Sequence, residues 1–307
     1  LFLWHPVFER PDDSAFLSPY LANWIHYNHI SALALQVSDI FLIYVEAIMF
    51  NFILTTNKIF AFNSFVPAMI FITVTSLFGE WVEASAQTVA QLFLLISMMN
   101  LFSIYEKEYS RENIFYSALF LSIGSLFYFP VALFLPVIIA GVLYRSLSFA
   151  DFALIIIGFV LPYYFIGIGL YYEGSLDGYL YFIQSHFYLN PSPNIDLSIP
   201  QEFMLVYFFL LVIWGYILLR RDREFKIIKH RRLVLTVLGY FIFSALAGPF
   251  ITGSKLLYLQ CAALPGAIFV TKIFSSERLR FYQHILFLIL FFGAILFQLD
   301  NLGIVRW

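Results

Sequence analysis

A single cysteine, Cys261, stands in 307 residues, so the chain has no disulfide framework and no cysteine-based metal site. Charged residues make up only 12% of it, too few to coat a water-soluble surface. No Walker-type phosphate loop, Gly-x-Ser-x-Gly, His-Glu-x-x-His or paired-Cys motif occurs, which leaves soluble-enzyme chemistry without support. Internal repeats, low-complexity tracts and a soluble domain are missing too. The net charge of −2 sums a sorted distribution, and no nucleic-acid partner is expected from it.

What is abundant is apolar: 62% hydrophobic residues, with 38 Phe and 20 Tyr. Most of such a chain must face lipid. In hydrocarbon the backbone has to satisfy its own hydrogen bonds, which leaves helices or closed barrels, and the length of the apolar runs matches helices. The expected fold is all-α, a polytopic transmembrane helical bundle in a single domain over 1–307. Apolar runs between charged gaps predict helices near 31–54, 62–78, 85–104, 114–129, 131–144, 152–171, 202–219, 233–250, 255–274 and 281–299. Those ten visible spans become eleven if Leu1-Phe2-Leu3-Trp4 is the end of a truncated helix.

The 17 Lys and Arg residues are not spread evenly over the gaps. Fourteen fall in every second one: Lys58, then Lys107 with Arg111, Arg145, the stretch Arg220–Arg232, and Lys272 with Arg278 and Arg280. The other gaps hold only Arg10, Lys255 and Arg306. By the positive-inside rule the basic gaps face the cytoplasm. The C-terminus at Trp307 is then external, as are the polar segments 1–30 and 172–201, whose Trp and Tyr residues suit the headgroup level.

Residues 114–144 carry no charge, yet both flanks are basic, so parity requires two passes. Each half reaches only about 21–24 Å against a hydrocarbon core of roughly 30 Å. The pair therefore reads as a broken or re-entrant hairpin meeting at Tyr128-Phe129-Pro130, of the kind tolerated where protein or a cavity covers it.

Several residues can carry chemistry. Asp12 and Asp13, with Glu9, lie in the first external loop, and Glu80 and Glu83 in the second. Acids in neighbouring outer loops can converge on a divalent cation, the one cofactor in view, and through it on a phosphate. Outer loops depleted in Lys and Arg also hold acids by default, so both readings stand. Asp39 and Glu46 lie seven residues apart inside the first helix, which puts them on one face about 10 Å apart along the axis. An intramembrane acid is costly and is by default functional, though two neutral acids hydrogen-bonded to polar neighbours would also fit. His26 and His29, with His5 and His186, are external and can bind a transition metal or simply hydrogen-bond at the interface. Arg220, Arg221, Arg223, Lys226, Lys229, Arg231 and Arg232 form a basic cytoplasmic loop over 220–232. It suits anionic lipid headgroups or an acidic partner as well as a topology-setting role. Lys255 is the one cation at the outer end of an apolar helix, placed to hold a phosphate or to snorkel to the headgroups.

The run Gln91–Tyr144, with its turn Tyr105–Arg111 and the segment Ile123-Gly124-Ser125-Leu126-Phe127-Tyr128-Phe129-Pro130, resembles a multi-pass inner-membrane family of flavobacteria and relatives that is labelled a domain of unknown function. That resemblance implies a bacterial inner-membrane location and no activity. The overall layout is similar to the GT-C superfamily of membrane glycosyltransferases, which use polyprenyl-phosphate-linked sugars. The similarity implies a catalytic acid at Asp12 or Asp13, a metal-binding acid at Glu80 or Glu83, and a phosphate contact from Lys255 in the stretch Lys255-Leu256-Leu257-Tyr258-Leu259 through Pro265. Two features depart from that pattern: the first loop has no Asp-Glu motif, and no soluble acceptor-binding domain follows the last helix. The fold can thus be kept with catalysis lost.

The leading expectation is a GT-C-like membrane protein that handles a lipid-linked sugar at the outer face. Its rivals are a non-catalytic scaffold subunit that packs against other membrane subunits and lipid, and a small-molecule or proton-coupled transporter resting on Asp39 and Glu46.

Overall fold

The computed structural model describes residues 17, 27, 32–60, 64–78, 86–105, 111–144, 148–174, 198–222, 227–247, 255–275 and 281–301. Among them all regular structure is helical, with no strand. The order is α1 (Ala32–Thr56), α2 (Val66–Thr75), α3 (Ala86–Ser103), α4 (Arg111–Phe127), a 3-10 helix (Phe129–Phe134), α5 (Leu135–Leu143), α6 (Phe149–Glu173), α7 (Ile199–Arg221), α8 (Ile228–Ala247), α9 (Lys255–Phe274) and α10 (Phe281–Asn301).

Five stretches are long and apolar enough to cross a membrane: Val37–Thr56, Ala86–Ser103, Phe149–Tyr172, Ile199–Arg221 and Phe281–Leu299. Val66–Thr75, Phe129–Leu143 and Leu259–Phe274 are apolar but shorter. The described helices thus give five full-length candidate spans where the sequence predicts ten segments. The shortfall has physical causes. At 10 residues, α2 rises only about 15 Å. Helix α4 spends its first turn on Arg111 and Glu112, and α8 carries Lys229, Arg231 and Arg232 in its opening turns.

The chain divides into two units, one of Leu1–Ser38, Ala84–Pro193 and Phe243–Lys255, the other of Asp39–Glu83, Asn194–Ile242 and Leu256–Trp307. In the first, α4 is the central helix, packed on α3 and, in parallel, on α6. Small residues let the backbones approach, as bilayer packing favours: a Cβ on Gly124 would stand 3.1 Å from the Ala90 carbonyl oxygen, and one on Gly158 only 2.7 Å from that of Phe115. Hydroxyls bridge the same seams. Ser97 Oγ donates to the Ser117 carbonyl at 2.8 Å, and Ser122 Oγ donates to the Phe159 carbonyl at 2.6 Å.

The expected break falls after α4. Tyr128 is extended (φ −144°, ψ 101°), and Pro130 sits in the first turn of the 3-10 helix that leads into α5. Proline lacks the N–H that a continuous helix would use there. The neighbouring backbone stays satisfied through Tyr128 N–H to the Gly124 carbonyl (3.0 Å) and Val131 N–H to the Tyr128 carbonyl (3.1 Å). Tyr105 OH, just past α3, donates to the Gly141 carbonyl of α5 at 3.0 Å.

The second unit is knit by aromatic rings. Phe50 of α1 stacks on Phe71 of α2 with centroids 4.8 Å apart. Phe209, Phe241, Phe269 and Tyr216 form edge-to-face pairs joining α7, α8 and α9, a geometry the aromatic quadrupole favours. Tyr207 OH donates to the Leu286 carbonyl at 2.8 Å, and Gln283 donates to the Ile273 carbonyl, fastening α10.

Candidate functional site

Helix α1 is built inside out. Val37, Ile40, Phe41, Tyr44, Ile48 and Phe52 are exposed, with Phe41 at 66%, whereas Asp39 is 6% exposed and Glu46 1%. A water-soluble helix would show the reverse pattern. Large apolar side chains outside and carboxyl groups inside is the arrangement a bilayer imposes, because an acid facing hydrocarbon has no partner. Ile43, Ala47, Phe50, Ile53 and Leu54 complete the buried face.

Glu46 Oε1 is buried and makes no hydrogen bond. Eleven residues further on, close to three full turns, Asn57 lies on the same face at 7% exposure. Its Nδ2 donates to the Ile53 carbonyl at 2.8 Å, while its Oδ1 makes no hydrogen bond. Asp39, Glu46 and Asn57 therefore form a buried polar stripe that runs from Asp39 to the residue just past the end of α1, about 27 Å at 1.5 Å per residue. That is close to the thickness of a hydrocarbon core. Asn57 was not among the residues singled out from the sequence. Its adjacency to Lys58 reads as interfacial, and only helical phase links it to the two acids.

The remaining candidate residues are distributed as follows. Asp12, Asp13, Glu80 and Glu83 lie outside the described residues, as do His5, His26, His29 and His186. Lys255 is the first residue of α9, and Pro265 lies within that helix; the Lys255 side chain is outside the description. Arg220 and Arg221 close α7, where cations complement the carbonyl end of the helix dipole. Both are exposed, as is Arg231, while Lys229 and Arg232 are half-buried. Arg223 and Lys226 lie outside the described residues. Asp222, which caps α7, pairs with Lys272 at the end of α9, so two gaps that share one side in the charge map meet. Among the described residues no group of three or more His, Cys, Asp or Glu could hold a metal ion.

One link reaches back into the first polar segment. The Leu17 N–H donates to the Leu126 carbonyl at 3.0 Å, one residue before α4 ends. Leu17 and the end of α4, where the broken hairpin begins, are thus in contact, and both belong to the same unit. Comparison with protein-family models, curated proteins and solved structures returned no match.

Proposed function

We propose that this chain is a GT-C-like protein of the bacterial inner membrane that handles a polyprenyl-phosphate-linked sugar, or a similar lipid-linked substrate, at the outer face. The hydrogen bond between Leu17 and Leu126 supports this reading, since it joins the first polar segment to the break after α4. Asp12 and Asp13 precede Leu17 by only five and four residues in sequence, and the segment after Leu126 is a proline-marked break in the α-helix, the kind of backbone beside which a cavity can form. In this reading Asp12 or Asp13 takes the proton from the acceptor hydroxyl. Lys255, at the head of α9, lies against the phosphate of the lipid carrier, where the ammonium and the N-terminal end of the helix both favour an anion. The carboxylate oxygens of Glu80 and Glu83 are the donor type a divalent cation takes, and that cation would supply charge neutralisation at the phosphate.

The test is turnover. Asp12→Asn, Asp13→Asn and Lys255→Gln are made singly, and consumption of lipid-linked sugar is followed in membranes. Loss of the general base is expected to cost about 100-fold or more. Unchanged turnover in all three variants removes the enzyme reading and leaves a scaffold.

The polar stripe on α1 favours a second reading, proton-coupled transport, in which Glu46 takes up and releases a proton between Asp39 and Asn57. Its signature is proton flux across proteoliposomes that stops in Glu46→Gln. Equal flux in wild type and variant disposes of it.

A further inference from the structure

The Ala90 carbonyl of α3 and Val131 Cγ1 of the 3-10 helix both close on Gly124 of α4, 3.1 Å and 3.5 Å from where a Cβ would stand. Two residues on, about 3 Å along the helix, the Leu126 carbonyl accepts from the Leu17 N–H. At one level of the first unit, then, α3 meets α4 beside the break and beside Leu17. The residue after Ala90 is Gln91. It is 3% exposed, and neither its Oε1 nor its Nε2 makes a hydrogen bond. Ser97 and Ser122, buried in the same unit, each reach a carbonyl of an adjacent helix. A buried carboxamide with both ends unmet costs stability that leucine, close to it in size, would not. Such groups are few in folded proteins, and each calls for a partner of its own.

Resting on the lipid-linked-sugar reading above, we propose that Gln91 recognises the sugar and that this sugar carries an acetamido group. A carboxamide offers an acceptor oxygen and an amine with donors, and an acetamido group is its complement. The acetamido N–H donates to Gln91 Oε1 while the acetamido carbonyl accepts from Nε2. A single hydroxyl oxygen cannot lie in line with both atoms at once, so a sugar with only hydroxyls leaves one of them short. The break after α4 supplies the opening, since non-helical backbone at membrane depth lines cavities. Lys107 and Arg111 follow the far end of α3, which by the positive-inside rule puts Gln91 in the outer half of that helix, the side on which the sugar is handled. Gln91 has no part in the bond-making step; it sets which sugar is accepted.

The test uses the full chain in nanodiscs, weighed by native mass spectrometry after addition of undecaprenyl phosphate carrying either N-acetylglucosamine or glucose. The N-acetylglucosamine lipid is expected to bind about tenfold more tightly. Gln91→Leu is expected to hold the two lipids equally and to melt no lower than wild type, since it removes both unmet groups. Binding of neither lipid by the wild-type protein removes the lipid-linked-sugar reading and the role of Gln91 with it. Binding of both without preference leaves that reading standing and overturns the role of Gln91, as does a Gln91→Leu protein that keeps the preference. A Gln91→Leu melting temperature well below wild type also overturns it, because Gln91 would then be held by the fold itself.

Discussion

Replacing Gly215 by alanine puts the packing of α7 on α9 to a severe test. A Cβ built there would lie 1.9 Å from the Phe269 carbonyl oxygen and 2.5 Å from its carbon. Both neighbours are backbone, so no side-chain rotation can make room. Ordinary contact begins well beyond 3 Å, and α7 would have to withdraw from α9 by more than 1 Å. That shift would open the Tyr216–Phe269 edge-to-face pair, whose centroids are 5.7 Å apart. Overpacking of this sort costs about 1–3 kcal/mol, and the rigidity of the obstacle puts Gly215→Ala at the upper end, about 3 kcal/mol. Gly169→Ala is the control: it lies in α6 with nothing within 4 Å of its built Cβ. On helix propensity alone that change should be neutral or stabilising by up to about 1 kcal/mol. Thermal unfolding of both variants in one detergent measures the contrast. Equal melting temperatures would refute the close approach of α7 and α9.

Two further experiments probe polar contacts between helices. Ser125 Oγ donates to the Ser122 carbonyl at 2.7 Å, which leaves Tyr163 OH as the donor in its 2.6 Å contact with Ser125; Tyr163→Phe is expected to cost about 0.6–1.7 kcal/mol, and a melting temperature at or above wild type would contradict the bond. The Lys272–Asp222 pair is partly exposed at 16% and 31% of its side chains, so a double-mutant cycle with alanine at both sites should return a coupling of about 1 kcal/mol or less that shrinks in high salt. A coupling of zero at low salt would show that the contact contributes nothing.

Helix positions were legible from the sequence because apolar runs and helices coincide when lipid is the solvent. Helix ends were less so. The apolar run begins at 152 but α6 begins at Phe149, since Ser148 and Asp151 form a capping box: Ser148 N–H donates to Asp151 at 3.0 Å, and Asp151 N–H donates to Ser148 at 3.2 Å. Likewise α8 starts at Ile228 and runs through Lys229, Arg231 and Arg232, because a backbone leaving the bilayer can stay helical while its side chains reach water. Pro130 announced the break after α4, as a missing N–H must. The contact of Leu17 with that break was not legible, since it joins residues 109 positions apart and no local pattern encodes it. Asp39 and Glu46 stood out as acids in an apolar run. Asn57 did not, because its neighbour Lys58 made the position read as interfacial.

The most direct test is the orientation of the helices, on which the outer-face reading of Lys255 depends. With the buried Cys261 replaced by alanine, single cysteines are placed at Asn194, Ser254 and Lys226 and treated with a membrane-impermeant thiol reagent in intact cells. Labelling is expected at 194 and 254 but at 226 only after the cells are opened. Labelling of 226 from outside, or protection of 254, would invert the map and remove Lys255 from the outer face.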